Sequence, residues 1–192
     1  MTDTELIEAT QNGHPQAFQM LVERYESRVA STIIGMLGDS PEADDIGQET
    51  FIRFYRNLGN FKGQAGVGTY ITRIAINLSL NEIKRRKRRS MFSIFSTSDS
   101  DEDRTAFDIP DPNATADYDD TAELVHWALK QIEPKFRSVL VLRLLEGYST
   151  KETADILDLP EGTILSRLVR SQQKLKNILK PYLGAYHEPA IS

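Results

Sequence analysis

Apolar residues recur every three or four positions through most of the chain, between short breaks of Gly, Pro, Asn and Ser. That period predicts helices. Leu6, Ile7 and Ala9 mark a short helix over 3–11, and Asn12-Gly13 stops it because both residues tolerate the left-handed conformation. Pro15 suits the first turn of a second helix, whose stripe of Phe18, Leu21, Val22, Tyr25, Val29, Ile33, Met36 and Leu37 runs to residue 37. After Gly38-Asp39, Ser40 is the expected N-cap and Pro41 the first helical residue of a third helix over 41–58. On it Ile46, Thr50, Phe51 and Phe54 turn to the core. Asp45, Gln48 and Glu49 share an exposed face. Acids at a helix start complement its dipole; the alternative is a face that docks on a basic protein surface.

Residues 59–68 form a glycine-rich loop with one aromatic, Phe61. The loop lacks the Lys-Ser/Thr ending of a phosphate-binding loop and follows a helix, so a nucleotide site is not expected there. A helix over 69–89 comes next. Ile71, Ile74, Ala75, Leu78 and Ile83 make its buried face; Arg73, Asn77, Asn81, Lys84 and Arg88 line another side. Residues 84–89 are all basic. A solvated helix end is the plain reading of such a run; an anionic polymer lying along it is the sharper one. From Ser90 to about residue 120 the chain turns rich in Ser, Asp, Thr and Pro. That composition predicts a linker dividing two domains, with Met91, Phe92, Ile94 and Phe95 as a cluster that tucks against the first.

The helical period resumes with Leu124, Val125, Trp127, Ala128 and Ile132, ending before Pro134. Phe136, Val139, Leu140, Leu142 and Leu144 form the next helix, stopped by Glu146-Gly147. Ser149 or Thr150 caps a short helix over 151–157, a turn spans 158–161, and a last helix reaches about residue 179. Two helices joined by so short a turn are a helix-turn-helix pattern. Ala154 is the small residue at their crossing, and Ile156, Leu157, Leu159, Ile164 and Leu168 are expected between them. Thr163, Ser166, Arg167, Arg170 and Lys174 share the outer side of the last helix, as a DNA-reading helix requires.

Charge distribution sharpens this picture where net charge, −5, does not. Between Asp99 and Asp120 there are nine acids against the single Arg104, and from Gly162 to Lys180 five basic residues and no acid. Two basic patches therefore flank an acidic spacer. With no cysteine, disulfides and thiolate metal sites are excluded. His14, His126 and His187 have no metal-ligand spacing, and no nucleophile-base constellation is arguable, so neither cofactor nor enzyme is expected. The polar N-terminus and lack of a long apolar run predict a cytoplasmic protein with no membrane insertion.

Four motifs stand in order along the chain, within a likeness that covers nearly all of it. They are 43–51 (ADDIGQETF), Phe61-Lys62-Gly63, 70–77 (YITRIAIN), and the segment from Glu146-Gly147-Tyr148-Ser149 to 160–168 (PEGTILSRL). They resemble the extracytoplasmic-function (ECF) sigma factors, the smallest class of the sigma-70 family of bacterial transcription initiation factors. The resemblance implies an all-α chain of two small helical domains. Residues 1–90 would be a sigma2-type domain, 91–120 an acidic linker, 121–184 a sigma4-type helix-turn-helix domain and 185–192 a tail. It implies that Asp45, Gln48 and Glu49 dock on core RNA polymerase. Phe61, Lys62, Tyr70, Arg73, Asn77, Lys84, Arg85 and Arg88 would engage the single-stranded −10 promoter element, with one base extruded near the glycine-rich loop. Thr163, Ser166, Arg167, Arg170 and Lys174 would read the double-stranded −35 element. The linker would thread the polymerase channel, and an anti-sigma factor would be a further partner. Three positions depart from the family pattern. Tyr70 stands where Trp is usual, Asp158 replaces a frequent turn glycine, and Leu165 stands where a basic residue is common, which implies an unusual promoter preference. A sigma-like decoy that binds an anti-sigma factor without DNA is the alternative. An ordinary one-component repressor would leave Asp45, Gln48 and Glu49 unused.

Overall fold

The computed structural model describes residues 1–61, 63, 66–96 and 118–183. Lys62, the linker acids of 99–117, His187 and the 185–192 tail lie outside them. Every regular element among the described residues is a helix: α1 (Asp3–Gln11), α2 (Pro15–Leu37), α3 (Pro41–Asn57), a 3-10 turn (Leu58–Asn60), α4 (Val67–Ser96), α5 (Tyr118–Lys130), α6 (Pro134–Leu140), a π turn (Val141–Leu145), α7 (Thr150–Leu157) and α8 (Glu161–Leu183).

Local chemistry explains most of the boundaries. Thr2 caps α1 in a capping box with Glu5, and Gly13, at φ 87°, takes the chain out of it. Ser40 stands at the N-cap of α3, as its sequence position predicts, but its hydroxyl does not close onto that helix. It accepts a hydrogen bond from Arg86 Nη2 at 3.2 Å instead, tying the start of α3 to α4. Helix α4 runs through Ser96, so the backbone stays helical into the segment read as linker. Met91 there is exposed and does not tuck inward.

Helices α1 to α4 pack around Leu6, Leu21, Ile33, Met36, Phe54, Ile71 and Ile76, each 1% exposed or less. Burying each such side chain contributes about 1.5–3 kcal/mol before entropy is counted. The second half has its own cores. Leu129, Ile132, Phe136 and Leu140 pack with Leu175 and Ile178. Val139, Ala154 and Ile164 pack with Leu157, Leu159 and Leu168. This is the expected helix-turn-helix interior, with Ala154 at the crossing. Ile156 is the exception. It turns the other way and joins Val141, Leu142 and Tyr148 in the core of the first half.

The two halves are therefore in contact. Gly35 lets α2 approach the π turn so closely that an added Cβ would meet Val141 Cγ2 at 2.9 Å. The buried Arg137 guanidinium donates to the carbonyl oxygens of Met36, Ile132 and Lys130. Loss of hydration at that depth pushes it down to about 10.

Candidate nucleic-acid interface

On α4, Tyr70 is half-buried, with its ring edge-on to Phe61 (5.2 Å, 60°) and 6.1 Å from Phe54. The two rings form an aromatic step between Phe61 and the first turn of α4. Asn77, two turns on, is exposed. Arg73, between them, is half-buried, and its guanidinium donates to the backbone carbonyl of Asp155 in α7. Thr72, 1% exposed, shares a 2.7 Å hydrogen bond with the Tyr148 hydroxyl, which also donates to the carbonyl of Gly68 at 3.4 Å. Arg28 lies over the Tyr148 ring, 5.6 Å from its centroid. Helix α7 thus covers the part of α4 around Thr72 and Arg73.

Two residues before the basic run stands an acid that organises it. Glu82, 6% exposed, accepts from Arg85 Nε at 2.6 Å, Arg86 Nε at 3.1 Å and Arg89 Nη2 at 3.5 Å. Arg86 also reaches Glu42 at 3.3 Å. Burial works to raise the Glu82 carboxyl, but hydrogen bonds and charge from Arg85 and Arg86 outweigh it and hold the group below its usual range. Half of the basic run is thereby engaged. Among the described residues, Lys84, Lys87 and Arg88 form no ion pair. The signal was legible: a lone acid three, four and seven residues before arginines faces them on a helix.

On α3, Asp45 and Gln48 are exposed, and Glu49 accepts from Arg53 Nε at 2.7 Å. Beside this polar strip, Ile52 and Tyr55 are exposed and line a shallow groove of about 400 Å³ with Pro15, Phe18, Phe51 and Arg56.

The helix-turn-helix is built by local rules. Ser149 caps α7 in a capping box: its Oγ accepts from Glu152 N at 3.2 Å, and the Glu152 carboxylate accepts from Ser149 N at 2.8 Å. Asp158 closes the helix at φ 53°, the left-handed conformation this turn demands. Helix α8 then turns Ile164, Leu168, Ser171 and Leu175 inward. Its solvent face is rotated from the one expected. Leu165, Ser166, Val169, Arg170, Gln173 and Lys176 are exposed, whereas Thr163 and Arg167 sit half-buried on the flank. Lys174 pairs with Glu133 at 3.2 Å and lies over the Phe136 ring, so it also ties α8 to the start of α6.

Residues 21–89 match the family described as Sigma-70 region 2, and residues 128–177 match Sigma-70, region 4. The chain is 34% identical over 184 residues to the RNA polymerase sigma-H factor of Pseudomonas aeruginosa, covering 94% of this chain and 95% of that protein. The chain belongs to the ECF sigma factors of the sigma-70 family. It is also 30% identical over 186 residues to the ECF RNA polymerase sigma-E factor of Escherichia coli K12, covering 95% of this chain and 97% of that one. Two solved structures share the fold. One is the sigma factor RpoE in complex with the anti-sigma factor NepR from Bartonella quintana (TM-score 0.65, 20% identity, 85% of this chain and 96% of that one). The other is CnrH in complex with the cytosolic domain of CnrY (TM-score 0.67, 22% identity, 93% and 97%). As an ECF sigma factor, the chain binds core RNA polymerase and directs it to promoters through their −35 and −10 elements. The region 2 match takes in α3 and the first 23 residues of α4; the region 4 match takes in α6, α7 and most of α8.

Proposed function

We propose a division of labour among these surfaces. The strip of Asp45, Gln48 and Glu49, with Ile52 and Tyr55 beside it, docks on core polymerase. An acidic edge next to exposed apolar side chains on one rigid helix supports this reading. The step of Tyr70 on Phe61, with Asn77 and Arg73, receives a base of the single-stranded −10 element; stacking of this kind is worth about 1–3 kcal/mol per base. Lys62 belongs to the same reading by its motif. Lys84 and Arg88 hold phosphates, and Arg85 contributes charge while it stays bound to Glu82. The outer side of α8, with Ser166 and Arg170 at its centre and Thr163, Arg167 and Lys174 on its flank, reads the −35 duplex.

The same reading requires the two halves to part. The elements lie about 25 base pairs apart, roughly 85 Å at about 3.4 Å per base pair. A compact chain of this length has a radius of gyration of only about 16 Å. Residues 1–90 and 121–184 are then separate working units, and residues 91–120 are the tether between them. An open basic face on α8 has no use in a decoy, which favours the DNA-binding reading. An anti-sigma factor is a further proposed partner, and the cytoplasm the proposed compartment. Among the described residues no helix is long and apolar enough to cross a membrane.

The observation that carries the docking assignment is the exposure of Asp45 and Gln48 beside Ile52 and Tyr55. Its test is co-purification with core polymerase. The double variant Asp45→Ala/Glu49→Ala should bind core at least tenfold more weakly with an unchanged melting temperature. Undiminished core binding would move the docking face elsewhere.

A further inference from the structure

The outer face of α8 carries two apolar side chains with no partner in the described structure. Leu165 is 52% exposed and Val169 is 68% exposed. They stand one helical turn apart, at the fifth and ninth residues of the helix, so they form a short ridge in its N-terminal half. Ser166 and Arg170 run directly beside them. The second half packs against α2 and α4 through α5 to α7, and the ridge stays open. Two exposed branched apolar residues cost solubility on a helix whose neighbours are otherwise polar, and a core role is excluded by their direction.

A recognition helix places its N-terminal residues against base edges in the major groove. The one apolar group that DNA displays there is the C5-methyl of thymine. The exposed Arg170 and Lys176, with no acid between Gly162 and Lys180, give that face the charge a duplex attracts. We propose that Leu165 and Val169 are specificity residues of the −35 contact and read thymine methyl groups. This rests on the assignment of α8 to the −35 duplex. Where a basic residue would select guanine by hydrogen bonds, Leu165 selects a T·A pair by apolar contact. Removing one methyl group from water is worth about a fourfold change in affinity.

The test uses holoenzyme assembled from the full chain and core polymerase. A promoter library randomised at the −35 element is selected for binding, and the winning sequence is resynthesised with uracil at each thymine in turn, which removes only the methyl. One or two substitutions should weaken wild-type binding about fourfold each. Leu165→Ala and Val169→Ala should each be insensitive to the uracil at their own position. Arg170→Ala should bind the selected −35 sequence more weakly yet keep the uracil effect. Leu165→Arg, a change at an exposed position, should shift the selected base pair from T·A towards G·C. If selection yields a preferred −35 sequence but uracil is neutral throughout, the ridge belongs to a protein partner and the inference is overturned. If polymerase assembles but no −35 preference emerges, the assignment of α8 fails first, and this inference with it.

Discussion

Glu82 shows how a single residue sets the character of a whole charged segment. Three arginines converge on one buried carboxylate, so the basic run is partly a structural clamp between α4 and the start of α3. Its folded-state carboxyl lies below the ordinary value, so its contribution to stability is present above that value and is lost as pH falls through the lowered one. Glu82→Gln should therefore lower the melting temperature by several degrees at pH 7. The gap to wild type should close as the pH is taken below 4.5, the ordinary value. A gap independent of pH would mean that the negative charge is not what holds the clamp. The same variant should steepen the salt dependence of DNA binding, because Arg85, Arg86 and Arg89 become available to phosphates.

At the scale of elements, local rules carry far. Capping of α7 by Ser149 rests on two short hydrogen bonds with Glu152. Ser149→Ala should cost about 1 kcal/mol in chemical denaturation, and an unchanged midpoint would mean that packing alone fixes the helix start. This cap, the Asn12-Gly13 stop, the Pro15 and Pro41 starts and the left-handed Asp158 were all legible in the sequence, because each is decided within four or five residues. What periodicity cannot name is the partner of a face. Arg73 reads as an outward cation, yet in the fold it meets a carbonyl 82 residues away. Ile156 reads as part of the helix-turn-helix interior, yet it packs with the first half. On α8 the polar stripe includes Arg167 and Lys174, while the fold turns Leu165 and Val169 outward between the polar positions. The π turn at Val141–Leu145 leaves no compositional trace. It shows in the bond from Glu146 N to Val141 O at 2.9 Å.

For the whole molecule, the packed arrangement covers Thr72 and Arg73 with α7 but leaves the outer face of α8 open. The two proposed DNA-reading surfaces are thus unequally available while the halves touch. Gly35 is a close approach between them, and a side chain there meets Val141 and Leu145. Gly35→Val should wedge the halves apart and raise the radius of gyration in small-angle scattering above the compact value of about 16 Å. It should also bring Arg73 within reach of single-stranded DNA. An unchanged radius would mean that the contact yields without opening.

The central proposal is that this chain makes core polymerase read two promoter elements with two separate surfaces. Run-off transcription tests it directly, with purified core polymerase, the full chain and a library randomised at both elements. The predicted result is a discrete set of transcripts sharing two sequence elements about 25 base pairs apart. Arg170→Ala should weaken selection only at the upstream element, and Asn77→Ala only at the downstream one. Promoter-independent transcription, or no transcript from a folded protein bound to core, would contradict it.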